Sequence, residues 1–403
     1  MKILQLTNKI PYPPKDGGAI ATLNLSKGLA RIGHQVTILG MNTTKHFSDL
    51  NDIPRELTDL VTFKDVHINT DLRLGAAVKN LLFSSNPYNA ERFFNEQFSK
   101  ALTDLLKNEH FDVVQLEGLY MAYYIGVIRK YSKAVIALRA HNIEHEIWNR
   151  VAQQEKSAWK KMYLGIMARR IKQFKLKILN TYDLLIPITD RDARQFDRFG
   201  NKKPSLTIPA GYELSDSLLH RSSIKFPSVF FIGTLDWFPN QEGLIWFLDK
   251  VWPLVLEQQP GVQFNVAGRN APRWLEILLK KSPNVNFLGE IDNAARFISE
   301  NAVMVAPLFS GSGMRVKIIE GMAFGKSIVS TTIGAEGIDV AHGKNIMIDD
   351  HEEGFAQCIN QLLNNRTFFE EMGENAVRFV RENYDNHKIS LLLAEFYTTH
   401  SKK

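Results

Sequence analysis

Arg315, Lys317 and Glu320 fall within six residues of one another, directly behind a small flexible loop, FSGSG, at Phe309–Gly313. An apolar run of strand length, Ala302–Leu308, leads into that loop. From Met314 the pattern turns helical, with Val316, Ile319 and Ala323 on one face and Ile318 and Met322 beside it. Gly325 stands where a helix-ending glycine is expected, and a second buried strand, Ser327–Thr331, follows at once. A strand, a glycine loop and a helix N-terminus together form an anion site, because free backbone N–H groups and the positive end of the helix dipole converge there. Arg315 adds a cation in the first turn, where the dipole alone favours an acid, so its placement asks for an anion nearby.

Glu320 lies inside the same helix, three residues beyond Lys317. One reading is a Lys317–Glu320 surface pair, worth roughly 0.2–0.5 kcal/mol. The other is a carboxylate that accepts hydrogen bonds from a ribose diol, next to cations that hold a diphosphate. Local pattern leaves both open.

The elements that position these residues alternate between strand and helix. Lys2–Leu6 is a short strand, NKIPYPPKDGG a polar loop, Ala19–Ile32 an amphipathic helix with Leu23, Leu29 and Ala30 among its apolar positions, and Gln35–Leu39 the next strand. This is a βαβ unit with parallel strands. It lacks GxGxxG, so a dinucleotide cofactor of the Rossmann kind is not indicated. Gly17 and Gly18 precede the helix, either as a turn pair or as a place where backbone approaches a ligand. A strand near Val61–Ile68 and helices near Leu72–Phe83 and Glu96–Lys107 come next. Then follow a strand at Asp112–Leu116, a helix at Tyr120–Lys130 and a strand at Ala134–Leu138. His141, Asn142 and Glu144 therefore stand at or just past a strand's C-terminal end, the edge where open α/β sheets bind ligands. A lone histidine there is commonly a cap or a packing residue.

Lys156–Lys177 holds eight basic residues and no acidic ones, with Trp159, Met162, Tyr163, Ile166 and Phe174 as its apolar stripe. It reads as a long solvated helix whose stripe is core, or as a contact with an anionic membrane or lipid-diphosphate acceptor. Asp183–Ile188 and Ser205–Ile208 complete the first domain as strands, and Pro209–Pro227 reads as a linker. A second series then opens: the strand Val229–Ile232 ending on Gly233 and Thr234, a helix from Gln241, the strand Phe264–Ala267 ending on Gly268 and Arg269, and the strand Val285–Leu288. After Asp350 the chain is helical.

The 403 residues exceed one comfortable core and suggest two domains of about 200 residues each. With 44% hydrophobic and 23% charged residues, the composition is that of an ordinary soluble globular protein. A single cysteine, Cys358, excludes an intrachain disulfide and points to a reducing compartment. No CxxC or HExxH spacing argues for a metal. Met1–Ile10 is too short and polar for a signal peptide, and no apolar run reaches about 18 residues, so the expectation is a cytoplasmic protein, with peripheral contact to the inner membrane face as its one membrane option. A net charge of +6 is a mild basic bias compatible with anionic substrates, and no nucleic-acid partner is expected.

The stretch PLFSGSGMRVKIIEGMAFGKSIVSTTIGAEGI resembles the donor-site signature of family 4 glycosyltransferases, retaining enzymes of the GT-B fold. In that family two glutamates with seven residues between them frame the loop and helix; the second matches Glu320 and the first falls on Ser312. The resemblance implies that Glu320 binds the nucleotide ribose and leaves the sugar contact of the first carboxylate missing. Gly17 and Gly18 match a GG whose loop faces the donor diphosphate, and His141 resembles the family's cleft histidine, which implies a contact with the reacting sugar or phosphate. FIGTLDWFPN resembles the entry to the second domain without its usual basic residues, a charge that Arg315 and Lys317 would supply.

On this resemblance the fold is α/β, GT-B, two Rossmann-like domains facing across a cleft. They are an acceptor domain at 1–210, a linker at 211–227, a donor domain at 228–380, and a helix at 381–403 returning to the first domain. The implied reaction is retaining transfer of a hexosyl unit from a UDP- or GDP-linked sugar to a glycan, lipid-linked or other hydroxyl acceptor in polysaccharide biosynthesis, with no cofactor beyond the nucleotide-sugar substrate. Gly17, Gly18, Gly233, Thr234, Gly268, Arg269, Gly311, Ser312, Gly313, Met314 and Glu320 would bind the donor, and His141, Arg315 and Lys317 would act on it. A nucleotide-sugar 2-epimerase of the same fold, and a non-catalytic partner that binds nucleotide sugar, remain as alternatives.

Overall fold

The computed structural model describes residues 1–69, 87, 91, 93–155, 157–213, 224–311 and 313–401. The helix expected near Leu72–Phe83, most of the expected linker, Lys156 and Ser312 lie outside the described residues. The chain divides into two compact units, Met1–Gly211 with Asn386–Lys403, and Tyr212–Asp385.

Unit one is built on β1 (Lys2–Thr7), β2 (Gln35–Thr43), β3 (Val61–Ile68), β4 (Val113–Glu117), β5 (Val135–Ala140) and β6 (Leu184–Pro187), in the order β3-β2-β1-β4-β5-β6. Every pairing is parallel. Unit two repeats the plan with β7 (Ser228–Ile232), β8 (Gln263–Ala267), β9 (Val285–Gly289), β10 (Val303–Ala306), β11 (Ser327–Ser330) and β12 (Met347–Ile348), in the order β12-β11-β10-β7-β8-β9. Central strands such as β10 and β11 are buried at every position, as sheets covered on both faces require.

Several expectations shift for local reasons. The first helix begins at Gly17 and not at Ala19, because the Asp16 side chain caps it by accepting from the Ala19 N–H; Gly17 and Gly18 are its first turn. Tyr120–Lys130 is a 3₁₀ stretch, Leu119–Tyr124, before a short α-helix, Ile125–Tyr131. Ser205–Ile208 is no regular strand: Ser205 makes an isolated bridge to Leu185, and Pro204 and Pro209 on either side bring no N–H to a ladder. In unit two the helix expected from Gln241 starts at Phe238, with Pro239 in its first turn. The helix expected at 381–403 starts at Asn386, in unit one, and runs to Ser401; residues 381–383 instead end the helix Arg366–Asn383 of unit two, and Tyr384–Asp385 part the two.

The Asn386–Ser401 helix packs on the Gly17–Arg31 helix, and two glycines make the approach possible. A Cβ on Gly28 would lie 2.0 Å from Ser390 Oγ, and one on Gly211 would lie 2.3 Å from Asn386 Oδ1. Ile389, Leu393 and Tyr397 then join Ile3, Leu25, Leu29, Val113 and Ala137 in one apolar layer of unit one.

Lys156–Lys177 corresponds to a helix at Ala158–Ile178 whose stripe is divided. Phe174 is core and stacks on Tyr123 with ring centroids 4.6 Å apart, whereas Trp159 and Met162 are 80% and 53% exposed. Lys175 is buried and paired with Glu144 at 2.8 Å, while Lys160, Lys161, Arg169, Lys172 and Lys177 face outward. Among the described residues no helix is long and apolar enough to cross a membrane.

Candidate functional site

In unit two β10 delivers the chain into the FSGSG loop, and the eight-residue helix Val316–Ala323 follows. Gly311 and Gly313 adopt φ of +99° and +81°, backbone that favours glycine. Gly311 also makes room: a Cβ there would lie 2.7 Å from Arg315 Nη2, so the guanidinium folds back across it. Arg315 is the N-cap residue and not part of the first turn. Its Nη2 donates to the Ser310 carbonyl at 3.3 Å and its guanidinium lies 5.4 Å from the centre of the Trp237 ring. Ser310 Oγ donates to Glu242 at 2.7 Å, which ties the loop to the Phe238–Trp246 helix.

Lys317 makes no ion pair with Glu320. Its ammonium donates to Asn240 Oδ1 at 3.2 Å and sits 4.5 Å from the centre of the Phe231 ring. Asn240 is held in turn by donating to the Thr234 carbonyl at 2.7 Å, a reach that Gly233 admits because a Cβ there would crowd Asn240 Nδ2 at 3.0 Å. Burial pulls Lys317 down from 10.5 to about 7, with Arg315 adding repulsion. Glu320 instead meets Tyr212: burial pushes its carboxyl up from 4.5 to about 7, and the bond donated by the Tyr212 hydroxyl offsets part of the rise. Burial, then Glu320, pushes the Tyr212 phenol up as well. An amine and a carboxyl one helical turn apart, both brought by burial to about 7, mark a functional site more than a structural one.

The other expected donor residues of unit two gather at the same sheet edge with less to do. Gly268 lacks a side chain because a Cβ would lie 2.0 Å from the Gly233 carbonyl oxygen. The Arg269 carbonyl accepts from Leu235 N–H at 2.9 Å, and Met314 packs on the apolar cluster around Ile318 and Met322.

In unit one His141 follows β5 directly. Its Nε2 lies 2.5 Å from Glu117 Oε2, and its Nδ1 lies 4.0 Å from where a Cβ on Gly18 would stand. Gly18 thus adjoins the histidine, in the first turn of a helix whose cap, Asp16, is ion-paired with Lys9. Burial would raise Asp16, but Lys9 outweighs it and holds the carboxyl below its usual range.

Sequence reasoning missed Glu117, Arg139, Tyr212, Asn240 and Glu242. For the first two a signal existed: VVQLE and VIALRA each carry one charge in a strand otherwise suited to full burial, and such charges are seldom buried unpaired. Tyr212 carried none, since its place beside Glu320 depends on a long-range return of the chain.

Comparison with solved structures places this architecture. HepE of Anabaena, solved in complex with UDP-glucose, superposes with a TM-score of 0.65 at 13% identity, over 99% of this chain and 100% of that one. Sucrose-phosphate synthase from Thermosynechococcus elongatus superposes with a TM-score of 0.72 at 16% identity, over 99% of each chain. Two parallel six-stranded sheets of this order are the GT-B fold of glycosyltransferases. The family model described as Glycosyltransferase Family 4 matches residues 15–216, and that described as Glycosyl transferases group 1 matches residues 226–365. The chain belongs to the family 4 glycosyltransferases. A protein of Klebsiella pneumoniae described as an uncharacterized 44.6 kDa protein in the cps region is 26% identical over 399 residues, which cover 96% of this chain and 97% of that one.

Proposed function

We propose that this glycosyltransferase moves a hexosyl unit from a UDP- or GDP-linked sugar to a glycan, lipid-linked or other hydroxyl acceptor, with retention of configuration. The observation that carries the reading is the helix Val316–Ala323, which offers Arg315 and Lys317 at its N-terminus and Glu320 one turn on. The two cations and the helix dipole suit a diphosphate, and they stabilise it most when it leaves with full charge. Glu320 suits the ribose diol, whose hydroxyls donate to its ionised form. In this reading unit two holds the donor, unit one holds the acceptor, and His141 meets the reacting sugar. The resemblance to HepE, solved with UDP-glucose, favours a UDP donor. The exposed Trp159 and Met162, beside Lys160, Lys161, Arg169 and Lys172, favour an anionic membrane surface as the place where the acceptor is met.

Product analysis with sugar-labelled donor tests the reading. A new glycoside is expected; an epimerised donor would replace transfer with 2-epimerisation, and an unchanged donor would leave a binding protein. His141→Ala should keep its melting temperature and nucleoside diphosphate affinity while losing roughly a hundredfold in turnover.

A further inference from the structure

His141 is the last member of a chain of polar side chains buried on the face of unit one's sheet covered by the Gly17–Arg31 and Asn386–Ser401 helices. Tyr397 Oη donates to Gln115 Oε1 at 2.5 Å, and Gln115 Nε2 donates to Glu117 Oε1. Glu117 Oε2 accepts from Thr22 Oγ1 at 3.1 Å, meets His141 Nε2 at 2.5 Å and lies 3.5 Å from Arg139 Nη1. The Glu117 and Arg139 side chains are 3% and 0% exposed. Burial alone would raise the Glu117 carboxyl, but Arg139 and the bond from His141 outweigh it and hold it at about 2. Glu117 is therefore a permanent anion and can only accept, which assigns a proton to His141 Nε2. The other nitrogen, Nδ1, is the one beside Gly18.

We propose that Glu117 is a positioning residue for His141: it fixes the ring with Nε2 protonated and Nδ1 toward the Gly17–Gly18 turn, and Gln115 and Tyr397 hold the carboxylate in place. The assignment rests on the reading of His141 as the contact with the reacting sugar. An interior pair such as Glu117–Arg139 is a poor investment in stability, since apolar residues of similar volume commonly do as well. A carboxylate behind an imidazole, by contrast, decides which nitrogen faces the substrate. Arg139 balances the charge: its Nε and Nη2 have no hydrogen-bond partner among the described residues, and Glu117 is the carboxylate against it.

The test uses the full chain and two readouts. In the unaltered protein, the ring ¹⁵N resonances of His141 at alkaline pH should show the proton on Nε2 and none on Nδ1. In the double variant Glu117→Gln with Arg139→Met, which removes both buried charges together, the two tautomers should mix. Turnover should fall roughly 10- to 100-fold, with KM for the donor and affinity for UDP retained. Tyr397→Phe should give a smaller loss of the same kind. A proton on Nδ1 in the unaltered protein, or a folded double variant with undiminished turnover, would overturn the proposal. The ring spectrum reads Glu117 even in a protein that transfers nothing, so failure of the transferase reading and failure of this one look different. It also stands should the double variant not fold.

Discussion

At neutral pH Lys317 and Glu320 each carry about half a charge, since burial brings both to about 7. Under the proposed function a nucleoside diphosphate would act on them in opposite senses: its phosphates would favour the protonated lysine, and its ribose hydroxyls the ionised carboxylate. At pH 8 the free Lys317 would be about one-tenth protonated and the free Glu320 about nine-tenths ionised, so binding UDP takes up about 0.9 proton at one and releases about 0.1 at the other. Net uptake is about 0.8 proton. Multiplying the two competent fractions, Lys317 and Glu320 alone should lower affinity about 25-fold between pH 7 and pH 9, on top of the titration of UDP's own terminal phosphate and uracil ring. Titration calorimetry of UDP at pH 8, in buffers of differing ionisation enthalpy, reads the uptake directly. Lys317→Met should abolish it. The sign reverses for the unliganded fold. Because the lysine's folded value lies below its ordinary 10.5, the unfolded chain binds more protons between about 7 and about 10, and stability rises with pH there. The free protein should thus melt higher over the same interval in which it loses affinity. Buffer-independent heat at pH 8, together with affinity flat from pH 7 to pH 9, would refute the placement of Lys317 against the diphosphate.

Glu320→Gln should cost donor affinity about ten- to a hundredfold, through charge-assisted bonds worth about 1.5–3 kcal/mol; unchanged calorimetric binding by the folded variant would remove Glu320 from the site. Arg315→Ala should weaken UDP far more than uridine, since only the former carries the charge being held; equal losses would make Arg315 a prop for the loop. Gly18→Ala places its methyl 3.4 Å from Asp16 Oδ1 and 4.0 Å from His141 Nδ1 in a first helical turn, so stability should hold or rise, by up to about 1 kcal/mol, while turnover falls about tenfold or more; full turnover would show that the Nδ1 side of the ring is unused. Sedimentation with liposomes should require acidic lipid, fade as salt rises and be lost in Trp159→Glu; binding indifferent to lipid charge would return the Ala158–Ile178 helix to plain solvation.

Apolar runs placed β1 and β10 to within two residues, because strands buried on both faces admit little else, whereas β2 runs four residues past the expected Leu39. Spacing also brought Lys317 and Glu320 onto one short helix, with Arg315 displaced from the expected first turn to its N-cap. What spacing withheld was their partners. Three residues on a helix make Lys317 and Glu320 look like a pair, yet Lys317 turns to Asn240 and Glu320 to Tyr212, choices made by the depth at which the helix packs. The amphipathic stripe of Lys156–Lys177 failed for a related reason: periodicity describes a whole helix, whereas burial here covers chiefly its second half, from Met167 to Ile178. Glu117 was legible only as an anomaly, a charge at the end of an apolar strand.

The contribution of Asn386–Ser401 to unit one has a consequence for the order of events at the ribosome. Unit two is an insertion in unit one, entered after Gly211 and left after Asp385. Its residues all emerge before the helix that covers Gly28 and Gly211 has been made. During synthesis the earlier domain of a chain usually folds first; here that order should fail, because the first unit has an open apolar layer of Ile3, Leu25, Leu29 and Val113 until Ile389, Leu393 and Tyr397 are made. Unit two can be whole while unit one is still a holding state. A nascent chain stalled before residue 386 should therefore bind UDP yet present Gln115 without Tyr397, and it is the stage at which the protein is most exposed to chaperones and to aggregation.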